Sequence, residues 1–188
     1  MSETINSILN RYSCRKYLDK PVLKEQINTI LKCALASPSA RNKQPWQIIV
    51  LKNEKIIKLI NSSAILELKN NLDSRLYNKT FNDEYSIFFN AKLVFIICSL
   101  KDEKNRFIDV DTGIVAQNIC LASTALGLGN CQIGLIRYAF ISENKDILYE
   151  KLKVDPSVYE IKLSVVVGYA DEHKLPHELD FTKIIEIG

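Results

Sequence analysis

Arg11, Ser13 and Arg15 occupy alternate positions in the stretch NRYSCRKYLDKPV. Alternate side chains of an extended backbone point the same way, so two guanidiniums and a hydroxyl would share one side. That set suits a phosphate, which takes bidentate, charge-assisted hydrogen bonds from arginine; a solvated basic loop is the competing reading. A second cluster, ASPSARNKQPW at 36–46, gathers two prolines, two serines, an asparagine and the chain's single tryptophan. Pro38 and Pro45 stiffen it, Ser39 offers a hydroxyl, and Asn42 and Gln44 offer amides that donate and accept. A helix stop followed by a packing aromatic, with Trp46 plugging the core beneath, would account for most of this. In a third, ALGLGNCQIG at 125–134, Gly127 and Gly129 read as the C-terminal cap of a helix. A dinucleotide fingerprint needs GxGxxG after a strand and opening a helix, and here both context and spacing fail. What remains is a backbone turn at Gln132 to Gly134 that a flat ligand could approach closely.

These clusters sit in a chain of 188 residues, 47% hydrophobic, which is one domain over 1–188 with enough apolar side chains for a core. A net charge of +3 without a long basic block argues against a dedicated nucleic-acid binder. The longest apolar runs, such as Leu93 to Cys98, are far too short to span a bilayer. MSETINSILN lacks the basic and apolar regions of a signal peptide, so a cytoplasmic location is expected, with no membrane or nucleic-acid partner. The five cysteines form no CxxC pair and read as small buried hydrophobes of a reducing compartment. Cys14 is set apart by Arg11, Arg15 and Lys16, cations that would depress a thiol pKa. His173 and His177 lie in a polar tail without further ligand spacing, which favours a solvated loop over a metal site. There is no Ser-His-Asp set and no carboxylate pair, so an enzyme built this way would leave the chemistry to a cofactor.

The elements that must position these residues follow from periodicity. Ile5, Ile8 and Leu9 give a short helical stripe. Ile27, Ile30, Leu31, Ala34 and Leu35 mark an amphipathic helix that Pro38 stops. Gln47 to Leu51 reads as a strand, Glu54 to about Lys69 as a helix, and Leu93 to Ser99 as a buried strand. Asp111 to Leu126 reads as a helix apolar on nearly every side, so central or at a subunit interface. Cys131 to Ile136 reads as a short strand or turn, Ser142 to Leu152 as a helix with Ser142 as N-cap, and Ile161 to Tyr169 as a strand. Phe181, Ile184 and Ile185 suit a C-terminal arm docking on a neighbour. The order gives an α/β or α+β single domain.

Taken together, RYSCR (11–15), PSARNKQPW (38–46), AQN (116–118) leading through ALGLG (125–129) to Ile133 and Gly134, and VGY (167–169) resemble the FMN-dependent nitroreductase family, in order and spacing. The similarity covers most of the chain, is weak over 55–90 and is partial in the tail. It implies an α+β fold with a central mixed, mostly antiparallel sheet flanked by helices, in an intertwined homodimer with FMN at the interface. It implies that Arg11, Tyr12, Ser13 and Arg15 hold FMN, with Arg11 and Ser13 on the phosphate and Arg15 near the pyrimidine edge. Pro38, Ser39, Ala40 and Asn42 would reach the FMN of the partner subunit. Backbone at Gln132, Ile133 and Gly134 would face the N5 and O4 edge, and Asn82 would match a family asparagine on the pyrimidine edge. No side chain acts as general base; hydride would pass from NADH or NADPH through flavin N5 to a small-molecule acceptor, a nitroaromatic, quinone or activated alkene.

Two departures from the family pattern stand out. Basic residues usual near the C-terminus are replaced by DEHKLPHELDF (171–181), leaving Lys174 to serve the phosphate, and a lysine usual after the asparagine is missing near Glu84 and Tyr85. They keep a flavin-sequestering protein with little turnover as a rival, beside a reductive dehalogenase of the same fold and a thiol enzyme using Cys14. Tyr77, Phe81, Tyr85, Phe88 and Phe89 are equally readable as a pocket wall or as core and interface packing.

Overall fold

Two apolar runs rich in β-branched residues build the middle of a sheet. LVFIICSL forms β2 (Leu93–Leu100) and YEIKLSVVVG forms β4 (Tyr159–Gly168). Outside them lie β1 (Trp46–Leu51), next to β2, and β3 (Gly129–Ile133), next to β4, in the order β1-β2-β4-β3. The computed structural model describes residues 2–71, 85–102 and 104–188. Every strand pair is antiparallel, where a mixed sheet was expected; the parallel element is an isolated bridge between Ser13 and Asn130. The fold is α+β, as expected, with helices on both faces.

Alternation along β2 sorts the core into two layers. Phe95 and Ile97 face α2 (Lys24–Leu35) and α4 (Ile108–Ala125), meeting Ile27, Ile30, Val115 and Ile119. Val94, Ile96 and Cys98 face α3 (Glu54–Asn71), α5 (Ile136–Ala139) and α6 (Lys145–Leu152), meeting Ile60, Ile136 and Leu148. Each such buried Ile, Leu or Phe contributes about 1.5–3 kcal/mol by leaving water. The last helix begins later than the sequence suggested. Its N-cap position is Asn144, while the Ser142 hydroxyl donates to Ala139 O and accepts the Asn144 N–H, closing the preceding turn instead of capping the helix.

One irregularity keeps β4 in phase. Ile97 pairs with Leu163 but Cys98 pairs with Ile161, so Lys162 is an extra, bulged residue. Leu163 therefore faces the α2–α4 layer and Ile161 the opposite one, although they are two residues apart. Lys162 reaches Asp109 at 3.3 Å and Glu160 at 2.9 Å.

Substantial apolar surface stays uncovered. α1 (Glu3–Asn10) packs on α4, buries no residue fully, and exposes Ile5, Ile8 and Leu9. Val110 on α4 and Phe181, Ile184, Ile185 and Ile187 in the tail are also exposed. No helix among the described residues is long and apolar enough to cross a membrane.

The bulge makes a test of register. Deleting Lys162 regularises β4 with both faces preserved, so the chain should fold with a loss of about 1 kcal/mol or less from its surface ion pairs. Deleting Ser164 moves Leu163 and Ile161 to the wrong faces and should abolish cooperative folding. Urea denaturation followed by circular dichroism distinguishes the two.

Candidate functional site

The RYSCR segment is extended, as its alternation requires, because it pairs with the sheet. Cys14 N–H donates to Asn130 O at 2.9 Å and Leu18 N–H to Tyr169 O at 2.9 Å, and Tyr17 bridges Ala170. Two glycines permit this approach. A Cβ on Gly129 would lie 2.8 Å from Cys14 Sγ, and one on Gly168 would lie 2.9 Å from Tyr17 Cδ1. Gly129 thus opens β3 under the Cys14 side chain and does not cap the helix; that role falls to Gly127, with φ +70°. Asn130 ties the arrangement to α4, its Nδ2 donating to Cys120 O at 3.1 Å and Thr124 Oγ1 at 3.0 Å.

Cys14 turns inward and is fully buried, with its Sγ on Lys16 O at 3.1 Å. Burial pushes its thiol up, the reverse of what its cationic sequence neighbours suggested. A nucleophilic Cys14 is therefore set aside. Burial also raises Cys131 in β3, but the charges of Arg15, Arg11 and Lys174 and the Ser13 hydroxyl all oppose that shift. Arg11, Ser13 and Arg15 lie along the segment that pairs with β3 at Asn130.

The tail after β4 folds back on this cluster. Asp171 N–H donates to Lys16 O at 2.9 Å, Tyr12 Oη donates to Glu172 O at 2.6 Å, and His173 packs edge-on against the Tyr12 ring. Glu172 Oε1 accepts the Arg15 N–H at 2.5 Å and pairs with Lys174 at 3.1 Å. The Arg15 N–H, with Lys174 alongside, holds the Glu172 carboxyl below the usual range. Lys174 is thereby at the site but already partnered. Arg15 stands 5.7 Å over the Phe89 ring, which meets Tyr85 edge-on at 6.0 Å, while Phe88 is core. The aromatic group thus divides between site wall and core; Tyr77, Phe81 and Asn82 lie outside the described residues.

Pro38 to Asn42 sit elsewhere. The Ser39 hydroxyl accepts the Gln44 N–H at 2.8 Å, and Asn42 Oδ1 accepts from Gln44 Nε2 at 2.9 Å. Arg41, Asn42 and Gln44 all take left-handed backbone angles, with φ of 54°, 52° and 46°. Trp46 is half-buried on the α2–α4 layer. The loop is tied to the first turn of α4, where the Ala40 N–H donates to Asp111 Oδ1 at 3.0 Å. Since Asn130 meets α4 at Cys120 and Thr124, the two halves of the site are separated by roughly 14–20 Å of helix. No hydrogen bond or ion pair among the described residues joins them.

β3 ends in the turn that the sequence singled out. Gln132 and Gly134 are exposed and Ile133 is buried. Nothing lies within 4 Å of where a Gly134 Cβ would be, so the backbone there can be approached closely. Gln132 Nε2 lies 3.4 Å from Gln117 Oε1, which it donates to. Sequence reasoning gave no role to Glu172, Asn130 or Asp111, and named Asn118 within AQN without a partner. The available signal was the seven-residue spacing of Asp111 and Asn118, which puts them two turns apart along one helix.

The family model described as "Nitroreductase family" matches residues 8–169. The NADPH-flavin oxidoreductase of Vibrio harveyi is 30% identical over 185 residues, covering 92% of this chain and 68% of its own. A nitroreductase with bound FMN from Desulfitobacterium hafniense superposes with a TM-score of 0.92 at 29% identity, over 100% of both chains. An FMN-dependent nitroreductase from Clostridium difficile gives 0.83 at 28% identity, over 98% of each.

The two glycines facing this region should respond oppositely to a methyl group. Gly129→Ala forces Cys14 off the sheet and should cost about 1–3 kcal/mol, whereas Gly134→Ala meets open space and should stay within about 0.5 kcal/mol. Thermal and chemical denaturation measure both.

Proposed function

The chain belongs to the nitroreductase family, and from that premise we propose that it is an FMN-dependent oxidoreductase of ping-pong type, with NADH or NADPH as donor and a nitroaromatic, quinone or activated alkene as acceptor. The observation that carries this reading is the pairing of the Arg11–Arg15 segment with β3, through Ser13 and Cys14 at Asn130, on the strand that ends in the open turn at Gly134. The donor set fits the group: cations and a hydroxyl for a phosphate, and an uncovered backbone turn for a flat ring. When bound, FMN supplies the hydride chemistry at its N5.

The chain's own residues bind and orient. Arg11 and Ser13 hold the phosphate, with Tyr12 fixing the segment through Glu172. Arg15 would hold the pyrimidine side of the group, where its charge would favour added negative charge. Backbone at Gln132, Ile133 and Gly134 would meet the ring edge, and Phe89, with Tyr85 edge-on to it, would wall the Arg15 side. Pro38, Ser39, Ala40 and Asn42 complete the site from a second copy.

The homodimer in this proposal answers the separation of the two halves. Two α4 helices packed antiparallel about a twofold axis bring the first turn of each beside the last turn of the other. Each Ser39–Asn42 loop then stands by the other copy's Arg11–Arg15 segment. The exposed apolar residues of α1, α4 and the tail supply the surface such an interface needs.

Addition of NADH or NADPH to the FMN-loaded protein without oxygen should bleach the visible flavin band, and a nitroaromatic or quinone should restore it. Retained FMN that neither donor bleaches would favour the sequestering alternative, which the pairing of Lys174 with Glu172 keeps in view; a protein that takes up no FMN overturns both. Asn42→Ala should weaken FMN binding with the monomer's core intact. Removing residues 175–188 should shift sedimentation toward monomer and lower FMN affinity together.

A further inference from the structure

Asp111 is 2% exposed, and among the described residues its carboxylate has one hydrogen-bond donor, the Ala40 N–H on Oδ1. Oδ2 is buried with no partner among the described residues. Burying a charge so thinly satisfied disfavours the fold, and an apolar side chain of similar size is often neutral or better at such a position. The carboxylate must therefore be accounted for by what Oδ1 holds. Seven residues on, two turns along the same face of α4, Asn118 Nδ2 donates to Ser37 Oγ at 2.9 Å and Cys33 O at 3.3 Å. The segment between these two anchors leads into Arg41, Asn42 and Gln44, whose left-handed angles run against the usual preference of L-residues. The loop therefore depends on α4 for its shape.

We propose that Asp111 is a positioning residue: through the Ala40 N–H it sets the Ser39–Asn42 loop for flavin binding, with Asn118 as the second anchor of the same clamp. This rests on the flavin reading above. Asp111 touches neither flavin nor substrate; it acts through the loop backbone. Ser39 is extended at φ −143°, ψ 158°, the range a residue before proline prefers, so Ala40→Pro removes the same N–H from the loop's side.

Three readouts test it: hydrogen exchange of residues 38–45 in flavin-free protein, FMN dissociation constants, and thermal midpoints. Asp111→Leu and Ala40→Pro should each speed loop exchange and weaken FMN by about tenfold, with the midpoint of Asp111→Leu held. The double variant should be no weaker than either single, because both remove one bond. Asp111→Asn keeps the acceptor and should restore exchange and affinity. Wild-type exchange in Asp111→Leu overturns the proposal, as do multiplying effects in the double variant, or a midpoint and affinity that fall together in Asp111→Leu and Asp111→Asn alike. If Asp111→Leu does not fold, loss in Ala40→Pro with retention in Asp111→Asn supports the clamp, and any other pattern overturns it. Failure of the wild type to take up FMN overturns the flavin reading instead, and the exchange rates then decide the clamp alone.

Discussion

The helix α4 is the constraint on which the site depends. One of its faces is pinned into the sheet by Val115, Ala116, Ile119 and Cys120, so it cannot slide or rotate without opening a core layer. From that fixed position it holds the Pro38–Asn42 loop at one end through Asp111 and meets the Asn130 side chain, under the Arg11–Arg15 segment, at the other. The rise of the helix sets the distance between the two. In the proposed dimer, a helix that holds both halves yet keeps them apart on one chain would also bring its exposed Val110 to the interface.

The sheet solves a different problem, that of seating an arginine-rich segment on apolar strands. The segment brings Cys14 and Tyr17 inward while its polar residues turn out, and Gly129 and Gly168 leave the space. Its backbone groups are satisfied by Asn130 and Tyr169, so the segment is bound as an added strand and its side-chain directions are fixed. The preorganisation of Arg11, Ser13 and Arg15 comes from these main-chain bonds more than from contacts among the three side chains.

Much of this was legible in residue order. The period-two placement of Arg11, Ser13 and Arg15 required an extended segment, and β2 announced its burial on both faces by its continuous apolar run. What stayed hidden depended on distant partners. Gly129 looked like a cap because caps are local, whereas its role is set by Cys14 more than a hundred residues earlier. Glu172 read as one more charge in a polar tail, since only the folded chain brings it to the Arg15 N–H. Asp111 and Asn118 were masked by the apolar helix around them, and the misplaced Ser142 cap reflects a choice between two adjacent turns that side-chain type cannot settle.

The left-handed stretch at Arg41, Asn42 and Gln44 has a further consequence. A glycine would adopt these angles freely, and none is present, so the folded loop carries torsional strain that the unfolded loop does not. Its conformation is held by bonds within the loop, from Ser39 and Asn42 to Gln44, and from outside by Asp111 at Ala40. Such a segment opens at a lower free energy than the layers beneath it and closes again without their taking part. Between the buried Ser37 and Pro45, the helix is thus set to influence how readily this loop opens.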